Sequence, residues 1–203
     1  VERRPGKDEG NISIYWFDHG WFWLIPLKDG TVSVGAVCWP AYLKSRDKSV
    51  EEFLWDTIQL SPLLHKRMKN AKRILPVTAT GNFSYVTDSM VGADYVRVGD
   101  AYAFVDPMFS SGVLFAMNSA ERAVELVNVI LQQPENHRLI KKQSRKFEKS
   151  VKRGIKMFSW FIFRITQPAM RNMFMAPRAV LNLKEGVTSL LAGDVFGSTR
   201  IGR

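Results

Sequence analysis

The stretch from Val98 to Ser119 combines an acidic residue, a turn rich in glycine and serine, and the start of a helix. Asp100 can accept hydrogen bonds from sugar hydroxyls. Ser110 or Ser111 can cap a helix that begins near Gly112, whose first N–H groups have no intrahelical partners. Because the positive end of the helix dipole lies there, those N–H groups suit an anion or a polarised carbonyl. The stretch predicts a site for a polar cofactor, although an ordinary turn and helix cap show the same pattern.

Regular elements are expected on both sides of this turn. A buried strand is predicted at Tyr95–Val98 and a helix from Gly112 to about Gln132. Ala116, Ala120 and Ala123 make one face of that helix thin, so it can approach a sheet or a flat ring closely.

The same stretch resembles the second FAD-binding motif of flavin-dependent halogenases. Phe104, Pro107, Ser110 and Gly112 match the F-x-x-P-x-x-S-x-G pattern of the members that act on phenols and pyrroles. Tryptophan halogenases carry a glutamate where this chain has Phe109, which points away from tryptophan as the substrate.

The resemblance assigns roles to individual residues. It implies an FAD site that comprises Gly99, Asp100, Pro107, Gly112 and Val113. It also implies that chloride or bromide is held by the backbone N–H groups of Ser111 and Gly112.

A second motif lies earlier, at 21–26, where the sequence reads W-F-W-L-I-P. Alternation along a strand puts Trp21, Trp23 and Ile25 on one face, and Pro26 ends the ladder. On spacing alone a packed aromatic sheet is the favoured interpretation. The W-x-W-x-I-P pattern, however, resembles the signature that separates flavin-dependent halogenases from related hydroxylases. The resemblance implies that Trp21, Trp23, Ile25 and Pro26 act as gatekeepers that keep organic substrates away from the flavin.

The remaining pattern predicts an α+β fold with an antiparallel sheet, a strand–helix segment and C-terminal helices. The resemblance implies that this fold is part of an α/β flavin-monooxygenase-like enzyme, with the sheet on the substrate side and the strand–helix segment in the flavin domain. Three domain parts are expected, at 1–80, 81–133 and 134–203. The expected strands are Asn11–Phe17, Gly20–Leu27, Thr31–Trp39, Arg73–Ala79 and Asn82–Thr87, and the expected short helices are Val50–Leu60, capped by Ser49, and Pro62–Asn70.

A long helix is predicted from His137 to about Thr166. One side is apolar, formed by Phe147, Val151, Ile155, Phe158 and Ile162. Another is basic, formed by Arg138, Lys142, Arg145, Lys149, Lys152 and Lys156 with Lys141, Lys146 and Arg153 beside them. The basic side is either a solvated face or a docking surface for an acidic partner.

Composition excludes several classes of protein. A single cysteine, Cys38, favours a reducing, cytoplasmic compartment over a disulfide framework. His19, His65 and His137 lack partners at metal-ligand spacing, and no nucleic-acid motif is present. The apolar run at Phe158–Ile165 is too short to span a membrane.

The chain begins at Val1 rather than methionine and contains no G-x-G-x-x-G stretch. We therefore expect part of a longer enzyme that by itself binds FAD weakly and is inactive. In the family the catalytic lysine lies upstream of the residue matching Val1, so no lysine here is assigned that role. Phe174, Met173 and Met175 could line an apolar substrate pocket, and the segment Leu181–Phe196 resembles the C-terminal ending of these halogenases.

The resemblance implies an FAD-dependent halogenase served by a separate flavin reductase. Reduced FAD, oxygen and halide would give hypohalous acid, which attacks an electron-rich phenol or pyrrole, either free or attached to an acidic carrier protein. Two alternatives remain: a flavin monooxygenase of the same fold without halide chemistry, and a non-catalytic module that binds a carrier protein. No oligomeric state is predicted.

Overall fold

The computed structural model describes residues 1–175 and 183–192. The chain divides into two compact units, Val1–Gly81 and Asn82–Arg203. Both units contain helices and a small antiparallel sheet, which confirms the predicted α+β class. The division into 1–80, 81–133 and 134–203 stays a prediction. Within 1–175 and 183–192, every helix is either too short or too polar to cross a lipid bilayer.

The first unit is built on a three-stranded antiparallel sheet. Strands β1 (Ser13–Phe17), β2 (Gly20–Pro26) and β3 (Val32–Cys38) pair in chain order, so the predicted meander is confirmed. The β2–β3 turn is closed by Asp29, whose carboxylate accepts hydrogen bonds from the Thr31 hydroxyl (2.7 Å) and N–H (2.9 Å).

Strand β2 has two different faces. Phe22 and Leu24 are fully buried in the core of the first unit. This core comprises Phe17, Phe22, Leu24, Ile58, Leu64 and Met68. Trp21, Trp23 and Ile25 alternate with Phe22 and Leu24, so they lie on the opposite face, as predicted. Phe22 and Leu24 therefore contribute one face of β2 to this core, whereas Trp21 is buried on the other face and lies outside this core.

Three helices follow the sheet: α1 (Pro40–Lys44), α2 (Val50–Gln59) and α3 (Pro62–Met68). Ser49 caps α2, as expected, through a complete capping box. Its hydroxyl accepts from the Glu52 N–H (3.2 Å), and the Glu52 carboxylate accepts from the Ser49 N–H (3.2 Å). The capping box fixes the residue at which α2 begins, and Ile58 near the end of the helix packs into the core.

The strand predicted at Arg73–Ala79 is wrong. Residues 76–79 have no regular structure, and Ile74 and Leu75 are 69% and 71% exposed. Pro76 cannot donate to a ladder, and no neighbouring strand pairs with this segment in the described part of the chain. The prediction at Asn82–Thr87 holds only for β4 (Tyr85–Val86), which pairs with β5 (Ala103–Phe104).

The buried strand predicted at Tyr95–Val98 is also wrong. Only Val96 makes an isolated bridge, to Val91, and Tyr95 is 42% exposed. The segment folds back on itself: the Arg97 N–H donates to the Met90 carbonyl (2.8 Å), and the Gly92 N–H donates to the Tyr95 carbonyl (3.0 Å). Because these bonds are local, the segment forms a short loop and joins no sheet.

Two long helices dominate the second unit, α4 (Gly112–Gln132) and α5 (His137–Ile165), with bounds close to those predicted. They pack together, and α5 is capped by Asn136, whose side chain accepts from the Leu139 N–H (3.1 Å). The core of this unit comprises Met90, Tyr102, Ala103, Ala123, Leu126, Phe147 and Val151. The apolar side of α5 is confirmed, since Phe147, Val151, Phe158 and Ile162 are buried and Ile155 is partly buried.

Two shorter helices follow, α6 (Pro168–Met175) and α7 (Leu183–Leu191). Phe174 is half-buried on α6. The side chains of Met173 and Met175, and both ends of the predicted Leu181–Phe196 segment (181–182 and 193–196), lie outside the described residues.

Candidate functional site

The turn at Gly99 and Asp100 is held against α4 by its backbone. Gly99 has φ +52°, a conformation that favours glycine, and a Cβ added there would lie 2.9 Å from the Ala116 Cβ. Its N–H donates to the Ser119 hydroxyl (2.9 Å), which donates in turn to the Phe115 carbonyl (2.6 Å). Of the small residues predicted to make one face of α4 thin, Ala116 lets the Gly99 turn pack closely against the helix. Ala123 is buried in the core of the second unit. Ala120 is exposed.

Asp100 presents its carboxylate to solvent. Within residues 1–175 and 183–192 its side chain makes no hydrogen bond or ion pair, whereas its backbone carbonyl accepts from the Tyr85 hydroxyl (2.7 Å). The residue is therefore fixed through its main chain, and both carboxylate oxygens are open to a ligand.

The segment between β5 and α4 is a series of tight turns. Phe104 ends β5, and the Asp106 carboxylate accepts from the Met108 N–H (3.0 Å) at the start of a single 3₁₀ turn, Pro107–Phe109. Burial raises the pKa of Asp106, and the bond from Met108 only partly offsets that effect. Ser110 then adopts φ +52° and redirects the chain into α4.

The predicted serine cap of α4 is wrong. Ser111 occupies the cap position and is buried, but its side chain makes no capping hydrogen bond. Ser110 is in the left-handed conformation outside the helix. The first N–H groups of α4 therefore receive no side-chain acceptor from the cap residue, and they remain available to an anion. Gly112 borders open space, because a Cβ added there would meet no atom within 4 Å.

Phe109 belongs to an aromatic cluster in the second unit. Its ring centroid lies 5.2 Å from that of Phe161, 5.9 Å from that of Phe174 and 6.4 Å from that of Phe158. Phe115 joins the cluster through Phe158 at 5.2 Å. These contacts anchor the Pro107–Phe109 turn on α5 and α6, a role that its neighbours in sequence do not indicate.

The tryptophans of β2 differ in how their indole N–H groups are satisfied. Trp23 covers Gly35, where an added Cβ would lie 2.1 Å from the indole, and its Nε1–H donates to the Ser33 hydroxyl (3.2 Å). Trp21 is 2% exposed, and its Nε1 has no hydrogen-bond partner among the described residues. The two rings lie 6.1 Å apart, and Pro26 ends the strand beside Ile25, opposite Val32.

The predicted site residues therefore fall into two groups. Gly99, Asp100 and the segment from Phe104 to Val113 lie in the second unit, and the gatekeeper residues of β2 lie in the first. Sequence reasoning missed Ser119 and Tyr85, which hold the turn. A serine in the middle of an apolar helix was the available signal for Ser119.

Comparisons with known proteins identify the family of the chain. The sequence profile of the tryptophan halogenase family matches residues 13–171. The chain therefore belongs to the tryptophan halogenase family, which confirms the resemblance to flavin-dependent halogenases.

Individual relatives differ in their stated substrates. The chain is 30% identical over 181 residues to a 1H-pyrrole-2-carbonyl-peptidyl-carrier protein chlorinase of Pseudomonas fluorescens, covering 89% of this chain and 39% of that protein. It is 36% identical over 126 residues to the tryptophan 2-halogenase of Chondromyces crocatus, covering 61% of this chain and 24% of that protein. The structure of the flavin-dependent brominase Bmp2 matches with a TM-score of 0.82 and 27% identity, over 97% of this chain and 48% of that one. The chain thus spans less than half the length of these proteins.

The residues present fit one end of FAD. Asp100 offers an open carboxylate to sugar hydroxyls, and the open space at Gly112 leaves room for a flat ring near the start of α4. The sequence contains no G-x-G-x-x-G loop for the pyrophosphate of the cofactor.

Proposed function

We propose that this chain is the flavin- and halide-facing part of an FAD-dependent halogenase that acts on an electron-rich aromatic substrate. One observation carries the proposal. The chain has both an open helix start that its cap residue leaves without a side-chain acceptor and a tryptophan-bearing strand whose motif residues alternate with the core residues Phe22 and Leu24. The helix start would bind a flavin and an anion, and the tryptophans of the strand would keep the substrate away from the flavin.

Gly99, Asp100, Pro107, Gly112 and Val113 would hold FAD. When bound and reduced, FAD supplies the electrons with which oxygen converts the halide into an electrophile. The Asp100 carboxylate accepts hydrogen bonds from sugar hydroxyls, and the Ser119–Gly99 bond keeps that carboxylate beside α4. Gly112 lacks a side chain at the point where the ring would approach the helix.

Chloride or bromide would bind the N–H groups of Ser111 and Gly112. Backbone donors at a helix start stabilise an anion without a cationic side chain. The missing serine cap is compatible with this role, because the Ser111 hydroxyl leaves the neighbouring Val113 and Leu114 N–H groups unbonded and so adds no competing acceptor at the helix start.

Trp21, Trp23, Ile25 and Pro26 would keep the organic substrate away from the flavin. Trp23 is oriented by Ser33 and by the absence of a side chain at Gly35, and Trp21 packs against it. Their contribution is exclusion and shape. No lysine of this sequence is assigned to activation of hypohalous acid.

The substrate class proposed is a phenol or pyrrole. The F-x-x-P-x-x-S-x-G match supports it, as does the pyrrole-2-carbonyl named for the Pseudomonas relative. Phe109 has no carboxylate to offer an indole, and its ring packs against Phe161 and Phe174. The similarity to a tryptophan 2-halogenase makes tryptophan the natural competing substrate in any assay.

Two partners and a compartment complete the proposal. A separate flavin reductase would supply reduced FAD, as the resemblance to flavin-dependent halogenases implies. A carrier protein presents the aromatic acyl group, as in the name of the chlorinase relative. We propose a cytoplasmic location, which is supported by the single cysteine of the sequence and by the need for reduced flavin.

The test uses the full-length protein with FAD, a flavin reductase, NADH, oxygen and bromide, without organic substrate. A chemical trap for hypobromite should report bromide-dependent product well above a control without enzyme. Flavin reoxidation that ignores bromide and yields only peroxide would favour the monooxygenase alternative. Absence of any flavin turnover would favour the non-catalytic module.

A further inference from the structure

Helix α5 carries almost all of the excess positive charge of the chain. Between His137 and Ile165 there are ten lysines and arginines and a single acidic residue, Glu148, in a chain of net charge +10. The side of α5 that faces the core is apolar, so these charges lie on the outward side.

Part of this charge lines a groove of about 740 Å³ along α5. Its charged and aromatic lining comprises Arg145, Glu148, Lys149, Lys152, Arg153, Lys156 and Trp160, so five basic residues face a single acidic one. From Arg145 to Lys156 the row extends about 16 Å, or three helical turns. The groove is therefore long enough to contact about three turns of a partner helix.

The charges of the groove are poorly neutralised within the described residues. Lys152 pairs with Glu148 at 3.1 Å, whereas Arg145, Lys149, Arg153 and Lys156 have no ion pair in residues 1–175 and 183–192. Like charges four residues apart on a helix repel each other, as Arg145 does Lys149 and Lys152 does Lys156. An anionic surface laid along the groove would relieve this repulsion.

One end of the groove is aromatic. Trp160 is 49% exposed, and the Arg164 guanidinium lies over its ring at 4.7 Å. Met157 lines the groove beside it. A charged row that ends in an exposed tryptophan and a methionine resembles the composition of a protein interface more closely than that of a phosphate-binding surface.

We propose that this groove, the α5 groove, docks an acidic helix of the carrier protein that delivers the tethered aromatic substrate. The inference rests on the proposed function, because that function supplies the need for a carrier protein. The charge of the groove gives long-range attraction and a fast encounter, and Trp160 gives a contact that depends on shape.

The experiment measures binding, so it does not depend on halogenation. The probe is a peptidyl-carrier protein loaded with 1H-pyrrole-2-carbonyl, titrated against the full-length protein by calorimetry. The double variant Arg145→Glu/Lys149→Glu changes the groove. The matched control Lys141→Glu/Lys142→Glu makes the same change in charge on the same helix, outside the groove.

We expect the groove variant to bind the loaded carrier at least 10-fold more weakly and the control to lose less than 3-fold. Binding by the unchanged protein should weaken steeply between about 50 and about 300 mM salt, and binding by the groove variant should depend less on salt. Trp160→Ala should weaken binding with little change in the salt dependence.

Three results would overturn the proposal. They are equal affinity of the groove variant and the unchanged protein, equal losses in the groove and control variants, and tighter binding to duplex DNA or to phosphatidylglycerol vesicles than to the carrier. A protein that binds the carrier through the groove but shows no bromide-dependent trapping would leave the docking surface standing and refute the halogenase function. A protein that traps hypobromite but loses no carrier affinity in the groove variant would support the halogenase function and refute the docking surface.

Discussion

The Gly99-Asp100 turn and strand β2 carry the two motifs of the chain, and they are built in opposite ways. The turn is positioned by main-chain features: a left-handed glycine, its contact with Ala116 and its bond to Ser119. In β2 the motif consists of side chains on one face of a sheet, and Phe22 and Leu24 on the other face form the core. A substitution in the turn should therefore change both the stability of the fold and the geometry of the site. In β2, substitutions can change the core residues and the motif residues separately.

The largest effect is expected on the core face of β2. Phe22→Ala removes a fully buried ring and should lower the free energy of unfolding of the first unit by about 3–5 kcal/mol. Trp23→Phe, on the motif face, should cost about 1 kcal/mol, mainly the bond to Ser33. Five of the six tryptophans lie in this unit, so denaturant unfolding followed by tryptophan fluorescence measures both. Equal losses in the two variants would contradict the separation of the two faces.

The next effect compares one substitution at two glycines. Gly99→Ala must place a Cβ at φ +52° and against Ala116, and it should destabilise the second unit by about 2–4 kcal/mol. Gly112→Ala adds a methyl group in open space at the start of α4, so it should change stability by less than about 1 kcal/mol. Unfolding followed by circular dichroism tests both. Gly112→Ala should nevertheless lower bromide oxidation by the full-length protein, and unchanged oxidation would remove Gly112 from the site.

A smaller loss is expected when the bond beneath the turn is removed. Ser119→Ala leaves the Gly99 N–H without its acceptor and should cost about 1–2 kcal/mol. Ser144→Ala, which removes only a bond to the Ile140 carbonyl within α5, is the matched control and should be nearly neutral. Hydrogen exchange at the Gly99 amide should become faster in the first variant alone.

The smallest effect is a dependence on pH. Burial raises the pKa of Asp106 in the folded state above its ordinary value of 3.8. The folded protein therefore holds this proton to higher pH than the unfolded chain does, and stability falls as pH rises through the raised pKa. In Asp106→Asn the amide oxygen can still accept from Met108, so this part of the pH dependence should disappear. Unfolding of both proteins between about pH 4 and 7 measures it, and identical curves would contradict the raised pKa.

Helix and turn positions were predictable because their causes are local. The capping box of Ser49 and Glu52, the asparagine before α5 and the apolar repeat along α5 each act within a few residues. The hairpin at Asp29-Gly30 likewise depends on contacts between neighbours in sequence. The strand predictions at 73–79 and 95–98 were wrong because a strand must pair with another strand that is often distant in sequence. Apolar residues alone do not supply that partner.

The sequence by itself determined the family, the two motifs, the charge of α5 and which residues begin and end the main helices, since all of these follow from residue types at short spacing. Only the tertiary structure decided that Ser111 leaves the start of α4 uncapped, that Ser119 holds Gly99 from 20 residues away, and that Phe109 is anchored by Phe161 and Phe174. Each of these depends on groups distant in the chain meeting within hydrogen-bonding or ring-contact distance. Packing decides such contacts, and local pattern does not encode them.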